Sequence, residues 1–528
     1  MIHYRLREIA LPLEADESCL LTHVARYLNV QAADLHDFRL VRKAIDARKK
    51  SSILRVYTVE FKVLSDFKLA QNQADNPFLS IITPVDDYQA PLCKQTKKVV
   101  IAGMGPAGLF AALSLCRSGA EVLLIERGKP VEERLRDVRS YWRDARLNIQ
   151  SNVQFGEGGA GTFSDGKLTT RVTHPLVQEV LRKFVAFGAP AEILYQAKPH
   201  IGSDRLRRVL IEIRRWLLHQ GVEIRYNTCL SGFVPRGAKL GAVVLDERHE
   251  EPCDSLVLAI GHSARDTYQM LYKQQIALQS KAFAMGLRVE HPRELINRIQ
   301  YGVGQHPQLG AAEYHLNWQD KTNGRGVYSF CMCPGGIIIG AASESGGVVV
   351  NGMSDFKRAA PFSNSALVVT VEPRDFADNS PLAGVAFQRT WEERAFAAGG
   401  ATGRPPGQPL SSFLDGRSGD LRTSCQPAAV AADLATVLPA EVCQSLRRAL
   451  PMFHQKMRGF VGPEAMLVGI ESRTSAPLRI LRNATGESPS LAGLFPAGEG
   501  AGYAGGIMSA AIDGMRSAEN VVNYLNSL

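Results

Sequence analysis

Gly103-x-Gly105-x-x-Gly108, with an acid about 20 residues further on at Glu126, has the residue types and spacing to hold a dinucleotide. Gly103 permits a tight turn, Gly105 lets backbone N–H groups approach a pyrophosphate, and Gly108 lets a helix pack closely on a strand. Pro106 and Ala107 open that helix, with proline where its missing N–H costs nothing. The helix N-terminus adds free donors and the positive end of a dipole. Glu126, followed by Arg127, stands where a carboxylate accepts from ribose hydroxyls. Two more glycine-rich stretches share this character. Gln154 to Lys167 cannot form a regular element, and its Gly158, Gly159, Gly161 and Gly166, with Ser164, offer bare backbone to a flat ligand or a pyrophosphate. Gly493 to Met515 sets Gly498, Gly505 and Gly506 around Glu499 before a helix that starts near Ile507, a second cradle of the same construction.

The elements that position these stretches follow from hydrophobic period. Val99 to Ala102 and the apolar run ending at Ile125 are strands, and Pro106 onward is a small-residue helix between them. Val131 to Arg146 reads as an exposed, charged helix and Ser203 to His219 as an amphipathic one. Short strands are expected at Val222 to Tyr226, Ser231 to Val234 and Ala242 to Asp246. Asp254 to His262 is a buried strand that returns to the central sheet and leaves Gly261 at its carboxyl edge, where ligands sit in doubly wound folds. From about 276 to 470 the pattern turns to long strands, including Ala282 to Val289, Ala366 to Val371 and a hairpin bracketing Gly346-Gly347. Gly399 to Asp420, rich in Gly, Pro and Ser, reads as a long surface or lid loop.

The N-terminal portion is a separate α+β unit, with strands at Tyr4 to Leu11 and Ile53 to Leu64, a helix at Glu17 to Leu28, and a linker at Asn76 to Gln95. Arg39 to Lys50 is the densest basic cluster in the chain. It is either a solvated strand edge, where positive charge discourages pairing, or a contact surface for an anionic partner. With 528 residues and a net charge of +9 spread along the sequence, nucleic-acid binding is allowed but not suggested. Nine cysteines without disulfide or zinc spacing point to a reduced, cytoplasmic setting, and the N-terminus lacks the apolar core of a signal peptide. The uncharged run from Val99 to Cys116 has the length of a membrane span, but its glycines and proline suit a buried strand and helix.

Taken together, GMGPAG with Glu126, FGEGGAGTFSDGK, the strand ending AIGH and the terminal FPAGEGAGYAGGIMSAAIDG resemble a FAD-dependent flavoprotein. The sequence is most similar to the bacterial family of uncharacterised FAD-dependent dehydrogenases with a small N-terminal α+β domain. GLRVEHP, FCMCPGG, NGMS and ESRTSAPLR extend the likeness across residues 97–528, and RKAIDARKK resembles the family's basic signature. The resemblance implies an α/β, Rossmann-like FAD-binding domain of the glutathione-reductase or fumarate-reductase type (97–275 and 475–528). An inserted β-rich substrate domain (276–474) and a small α+β domain (1–92) complete the expected architecture. It implies FAD, with its pyrophosphate at Gly103, Gly105 and Gly108, its adenosine ribose at Glu126, its flavin side along 158–167, and its ribityl chain at Gly498 and Glu499. The more widespread flavoprotein motif carries Asp where Glu499 stands, and Ala44 and Ala476 replace serines of the family pattern.

Flavin chemistry belongs mainly to the cofactor, so the protein's part is to orient a substrate and supply charge near the ring. Lys167 could place positive charge near the flavin. Glu471 and Arg473 could bind a polar substrate or pair with one another in a domain interface. Arg288 and Glu290 alternate on one strand and could line a pocket or brace one another. His291, before Pro292, reads as a turn residue. Cys331 and Cys333, two apart on one strand face, suit the core better than a disulfide. No cysteine pair follows the first GxGxxG, and no second strand-linked GxGxxG marks a nicotinamide domain. The expected function is a cytoplasmic FAD-dependent oxidoreductase passing a hydride between a small-molecule substrate and the flavin, with NADH or NADPH as candidate electron donor and no membrane partner. The alternative is a flavin-containing RNA- or protein-binding module, or a flavin-dependent RNA-modifying enzyme, using the basic N-terminal segment.

Overall fold

The computed structural model describes residues 1–83, 88–170, 173–415 and 420–528. Its central element is a five-stranded parallel sheet in the order Leu494–Pro496, Ser255–Leu258, Lys98–Ala102, Glu121–Ile125 and Glu223–Arg225. Every residue of Val99–Ala102 is buried, because both faces of this sheet are covered. Val99 and Ile101 point into helices Pro106–Ser118, Leu176–Ala186, Ser203–His219 and Ile507–Leu525. Val100 and Ala102 point the other way, into the helix Arg265–Lys273 and a three-stranded antiparallel sheet of Leu230–Arg236, Lys239–Leu245 and His249–Pro252. The run from Val99 to Cys116 is thus a buried strand and helix, and no helix among the described residues is long and apolar enough to cross a membrane.

Residues between 283 and 471 supply a seven-stranded sheet. Its order is Asn317–Asp320, Arg325–Cys333, Phe362–Val371, Phe283–Pro292, Met466–Glu471, Pro406–Pro409 and Val430–Ala431. Phe283–Pro292 pairs antiparallel with Phe362–Val371 along its whole length. The expected hairpin is present as Ile337–Gly340 against Val350–Met353, although the chain between them is longer than a two-residue turn. The stretch from Gly399 differs from the expected loop. Pro406–Pro409 enters the sheet and Leu410–Asp415 is a helix whose Leu410 and Phe413 are buried. A Pro-Pro-Gly-Gln-Pro composition masks this strand, which is placed by Gly407 and Gln408 pairing with Val468 and Leu467. The rest of that segment, 416–419, lies outside the described residues.

At the N-terminus, a four-stranded sheet has the order His36–Asp46, Leu54–Val63, Ile2–Pro12 and Leu79–Ile81, with the helix Cys19–Leu28 on its apolar face. Leu79–Ile81 falls in the segment expected as a linker, of which 84–87 lie outside the described residues. The basic strand is an edge, as its charge suggested. Three of the six cations between Arg39 and Lys50 are answered within the chain: Arg39 by Glu60 at 2.5 Å, Lys43 by Glu17, and Arg48 by Asp46 at 2.5 Å. At Lys43 the edge is also covered, the Lys43 N–H donating to Tyr195 O at 2.7 Å and the Ala197 N–H to Lys43 O at 2.9 Å.

Candidate cofactor and substrate cleft

A cleft with about 1550 Å³ of empty space, open solvent at its mouth included, lies over the carboxyl ends of Lys98–Ala102, Glu121–Ile125 and Ser255–Leu258. That is the edge at which parallel α/β sheets take ligands. Gly103 turns the chain off its strand with φ +104°, and a Cβ there would sit 2.3 Å from the Ala259 carbonyl oxygen. A Cβ on Gly108 would stand 1.8 Å from Gly103 O, so this glycine seats the helix and does not line the cleft. At Gly105 the space is open, the nearest atom being Gly159 Cα at 3.9 Å.

Two helix N-termini meet this space. Pro106–Ser118 begins behind Gly105 and Ile507–Leu525 behind Gly506, neither with a side-chain cap, and Pro106, Ala107, Gly505, Gly506 and Ile507 all face the cleft. Uncapped backbone donors and two positive dipole ends converging on one cavity suit a diphosphate. Gly498 is set back, with a Cβ there 2.7 Å from that of Ala107, and its N–H donates to Asp513 at 2.7 Å.

Glu126 is buried at the end of its strand and faces the cleft. Oε2 accepts from the Met104 N–H at 2.8 Å, while Oε1 accepts from Gly128 and Gly156, both at 2.9 Å. It therefore clasps the first glycine turn to the second, and Oε2 keeps a lone pair for a ligand hydroxyl. Arg127 lies 4.4 Å over the Phe155 ring and donates to Asp266 at 2.9 Å, closing one wall.

The loop from Asn152 to Thr162 owes its shape to Arg134, a residue that the sequence alone did not single out. This fully buried guanidinium donates to the carbonyls of Asn152, Val153, Gly156, Glu157 and Gly159 and to the Thr162 hydroxyl, at 2.6 to 3.2 Å. Burial pulls it down to about 10. The helix Val131–Asp144 is accordingly not an exposed one: Val131, Arg134, Val138 and Tyr141 form its buried stripe. The recurrence of apolar residues on either side of Arg134 is the signal that could have revealed it. Glu157 joins from below, accepting from the Val131 N–H at 2.7 Å and Arg214 at 2.9 Å, with burial pushing it up to about 7. Held this way, Gly159, Gly161, Ser164 and Gly166 line the cleft, while Gly158 packs against Leu210. Lys167 lines it too, but its ammonium donates to Met332 O and stands 3.6 Å from both Asp165 and Glu313.

Gly261, in the left-handed region at φ +73°, and Glu499 complete the floor. Burial raises Glu499 to about 7 against a hydrogen bond from the Gly506 N–H and the charge of Lys281. Next to Gly261, His262 is driven down to about 3 by burial and by the charges of Arg473 and Arg265.

The cleft continues into the inserted sheet, where Phe330, Cys331, Asn351, Glu471, Arg473 and Thr474 face it. Glu471 and Arg473 do not pair with one another. Glu471 takes a bidentate bond from Arg288 at 2.8 and 2.9 Å, and Arg473 binds Glu392 at 2.7 and 3.0 Å. Arg288 and Glu290 do not brace one another either: Arg288 also reaches Asn364 at 2.8 Å, and Glu290 accepts from the Ser424 N–H at 2.8 Å. Arg288 is taken by Glu471 and Asn364 of the two neighbouring strands and Glu290 by Ser424 of a separate segment, so neither is left for the other. Glu392, unseen in the sequence, is shared by Arg473 and Arg265, whose second carboxylate is Glu344 at 2.5 Å. This buried cluster joins the end of the parallel sheet to the inserted one. His291 is no turn residue but a buried strand residue, 2.8 Å from Phe460 O. Cys331 departs from the expected core position as well, because a register break between Phe330 and Cys333 turns it to the cleft while Cys333 stays buried.

Residues 282–474 match the family model "FAD-dependent protein, C-terminal domain-like", and residues 2–62 match a domain of unknown function, DUF8436. A Clostridium beijerinckii protein described as uncharacterized is 43% identical over 524 residues, covering 98% of each chain. Among solved structures, a glycerol-3-phosphate dehydrogenase from Bacillus halodurans complexed with FAD aligns at 11% identity and TM-score 0.34, over 82% of this chain and 66% of that one. A geranylgeranyl bacteriochlorophyll reductase-like protein from Thermoplasma acidophilum aligns at 10% identity and TM-score 0.36, over 82% and 79%.

The fold is a Rossmann-like FAD-binding one with inserted β-rich sheets and a small N-terminal α+β domain, and the cofactor is FAD. The chain belongs, with its Clostridium relative, to a family of flavoproteins with the FAD-binding oxidoreductase fold.

Proposed function

We propose that the protein is a FAD-dependent dehydrogenase of the bacterial family its sequence resembles, passing a hydride between a small-molecule substrate and the flavin. The observation that carries this reading is the continuity of the cleft. It runs from two uncapped helix N-termini, past Glu126 and the Arg134-held loop, to Glu471, Arg473 and Thr474 of the inserted sheet. Bound FAD supplies the two-electron carrier; the chain supplies place, charge and shelter from water.

The backbone around Gly105 and Ala107 and the N-terminus at Ile507 receive the diphosphate, and the free lone pair of Glu126 Oε2 accepts from a ribose hydroxyl. Gly159, Gly161 and Gly166 give the flavin a flat wall, and Glu499 meets the ribityl hydroxyls. Lys167 lends its charge from the side, held by the Met332 carbonyl. Residues 276–474 act as the substrate lobe on a cofactor lobe of 97–275 and 475–528, with 1–92 appended. Glu392 fixes the Arg473 guanidinium at the junction of the two lobes, which suits a rim that orients a polar substrate. The spacing of the nine cysteines supports a cytoplasmic setting. Arg39, Lys43 and Arg48 of the basic N-terminal cluster are engaged by carboxylates of the chain, which weakens a nucleic-acid reading.

Anaerobic titration of the flavin-loaded protein with NADH, NADPH and a panel of metabolites, followed by the absorbance of the oxidised flavin, tests the assignment. Stoichiometric bleaching by one of them is expected. A flavin that no two-electron donor reduces would overturn it.

A further inference from the structure

Cys331 and Cys333 are poorly used by the reading above, and three observations set them apart. The first is backbone geometry. Phe330 pairs with Ala366 and Cys333 with Asn364, so one strand spends an extra residue there, and Cys331 occupies the left-handed region at φ +41°. A non-glycine residue in that region carries strain that the surroundings must hold. A bulge also breaks the extended spacing that would keep two strand-neighbour thiols apart.

The second is contact. The Cys333 thiol folds back on its neighbour and donates to the Cys331 carbonyl oxygen at 3.6 Å. Cys333 is fully enclosed, to the point that a Cβ on Gly352 would stand 2.8 Å from its sulfur, whereas Cys331 faces the cleft. One sulfur is reachable and its partner is in reserve.

The third is the pair of cations that holds this bulge. Arg288 Nη1 donates to Cys331 O at 3.2 Å, and the Lys167 ammonium donates to Met332 O. The Cys333 hydrogen bond, with Arg288 and Lys167, draws Cys331 below the ordinary thiol value, while Cys333 is pushed up by its neighbour's sulfur and by burial.

We propose that Cys331 and Cys333 are a dithiol that reduces disulfide substrates entering the cleft, Cys331 attacking and Cys333 resolving. The Cys331 thiolate attacks one sulfur of the substrate disulfide; that S–S bond breaks, one substrate thiolate leaves, and a mixed disulfide forms on Cys331. Cys333 gives its proton to a departing substrate sulfur and attacks Cys331. The mixed disulfide then breaks, the second substrate thiol leaves, and a Cys331–Cys333 disulfide remains. Two electrons have passed from the dithiol to the substrate, and a reduced flavin with a proton returns them for the next turnover. Turnover rests on the proposed flavin-dependent activity, but the exchange half-reaction does not.

The test uses the full chain as purified with its flavin, pre-reduced, freed of reductant and treated with an aromatic disulfide such as 5,5′-dithiobis(2-nitrobenzoate), with residue-resolved peptide mass spectrometry. The parent is expected to release two aromatic thiols from this site and to yield a Cys331–Cys333 linked peptide. Cys333→Ser should stop at the mixed disulfide on Cys331, and Cys331→Ser should release none there. At neutral pH, alkylation of Cys331 should outpace that of the exposed Cys19 by at least about tenfold. Cys331 inert while Cys19 reacts, or a parent that keeps the mixed disulfide as Cys333→Ser does, would overturn the proposal, and the parent alone decides this if a variant fails to fold. Closure of the disulfide in a protein that takes up no flavin would sink the flavin reading and leave the dithiol standing. Bound flavin beside an inert Cys331 would do the reverse.

Discussion

The guanidinium of Arg134 donates to the carbonyl of Gly159 at 3.0 Å, across 25 residues of chain, and four more carbonyls of the same loop turn to the same side chain. The wall of the cofactor cleft is therefore wound around one buried cation and does not depend on its glycines alone. Each buried acceptor left without its donor costs roughly 1–3 kcal/mol. Arg134→Met should lower the melting temperature steeply and release FAD, and Arg134→Lys, with charge but no fork, should recover little of either. Thermal unfolding with bound-flavin absorbance checks this; a Met variant that melts with the parent would contradict it.

The first glycine motif separates folding from binding. Gly105 has ordinary φ of −76° and open space beside it, so Gly105→Ala should fold with a melting temperature close to the parent's yet bind FAD at least about tenfold more weakly, its methyl standing where the pyrophosphate approaches. Gly108→Ala should do the opposite in order of events, destabilising the protein because its Cβ meets Gly103 O at 1.8 Å. Calorimetric unfolding of the apo-proteins, followed by FAD titration, distinguishes the two.

At the junction of the two sheets, Glu392→Ala would take from buried Arg265 and Arg473 the carboxylate each holds at 2.7 Å and leave them only Glu344, at 2.5 and 3.6 Å; removing one partner of a buried ion pair costs about 3–5 kcal/mol, and Glu344 should keep the loss toward the low end. Burial raises Glu392, but the two guanidiniums hold it well below the usual carboxylate range. The stability it adds is therefore present above the unfolded carboxylate value and lost as pH falls through its depressed one. Denaturant unfolding at neutral pH should show the full deficit of the variant, and a series toward low pH should show it shrinking.

His291 gives a second, separate pH dependence. Its Nε2 lies 2.8 Å from Phe460 O, Nδ1 is buried without a partner, and burial lowers the group to about 4 from 6.5. Between those values the unfolded chain binds a proton that the folded one refuses, so stability is lost as pH falls from 6.5 to 4. His291→Gln keeps a donor for Phe460 and should flatten this window relative to the parent. Parallel slopes in the two proteins would contradict the assignment.

Much of the cofactor half was legible because its chemistry is local. Gly103, Gly105, Gly108 and Glu126 lie within one strand–helix–strand unit, and Gly505, Gly506 and Ile507 mark a helix start by residue type alone. The substrate half was less so, since its pairings are set by strand register. Glu471 finds Arg288 183 residues away and Arg473 finds Glu392 81 residues away, distances over which no spacing rule speaks. Arg134 was hidden for another reason, its charged helix having the composition of a surface one, and Cys331 because a bulge cannot be read from alternation. Pro406–Pro409 has the prolines of a loop, whereas the sheet uses the two residues between them.

The account stands on three glycine-rich walls forming one site for FAD. The most direct test is the flavin content of the purified protein: absorbance, then release by denaturation and identification of the free nucleotide. One FAD per chain, or one taken up when the apo-protein is titrated, is the predicted result, with uptake weakened in Gly105→Ala. A colourless protein that takes up no FAD, or a Gly105→Ala variant that binds it as the parent does, would contradict it.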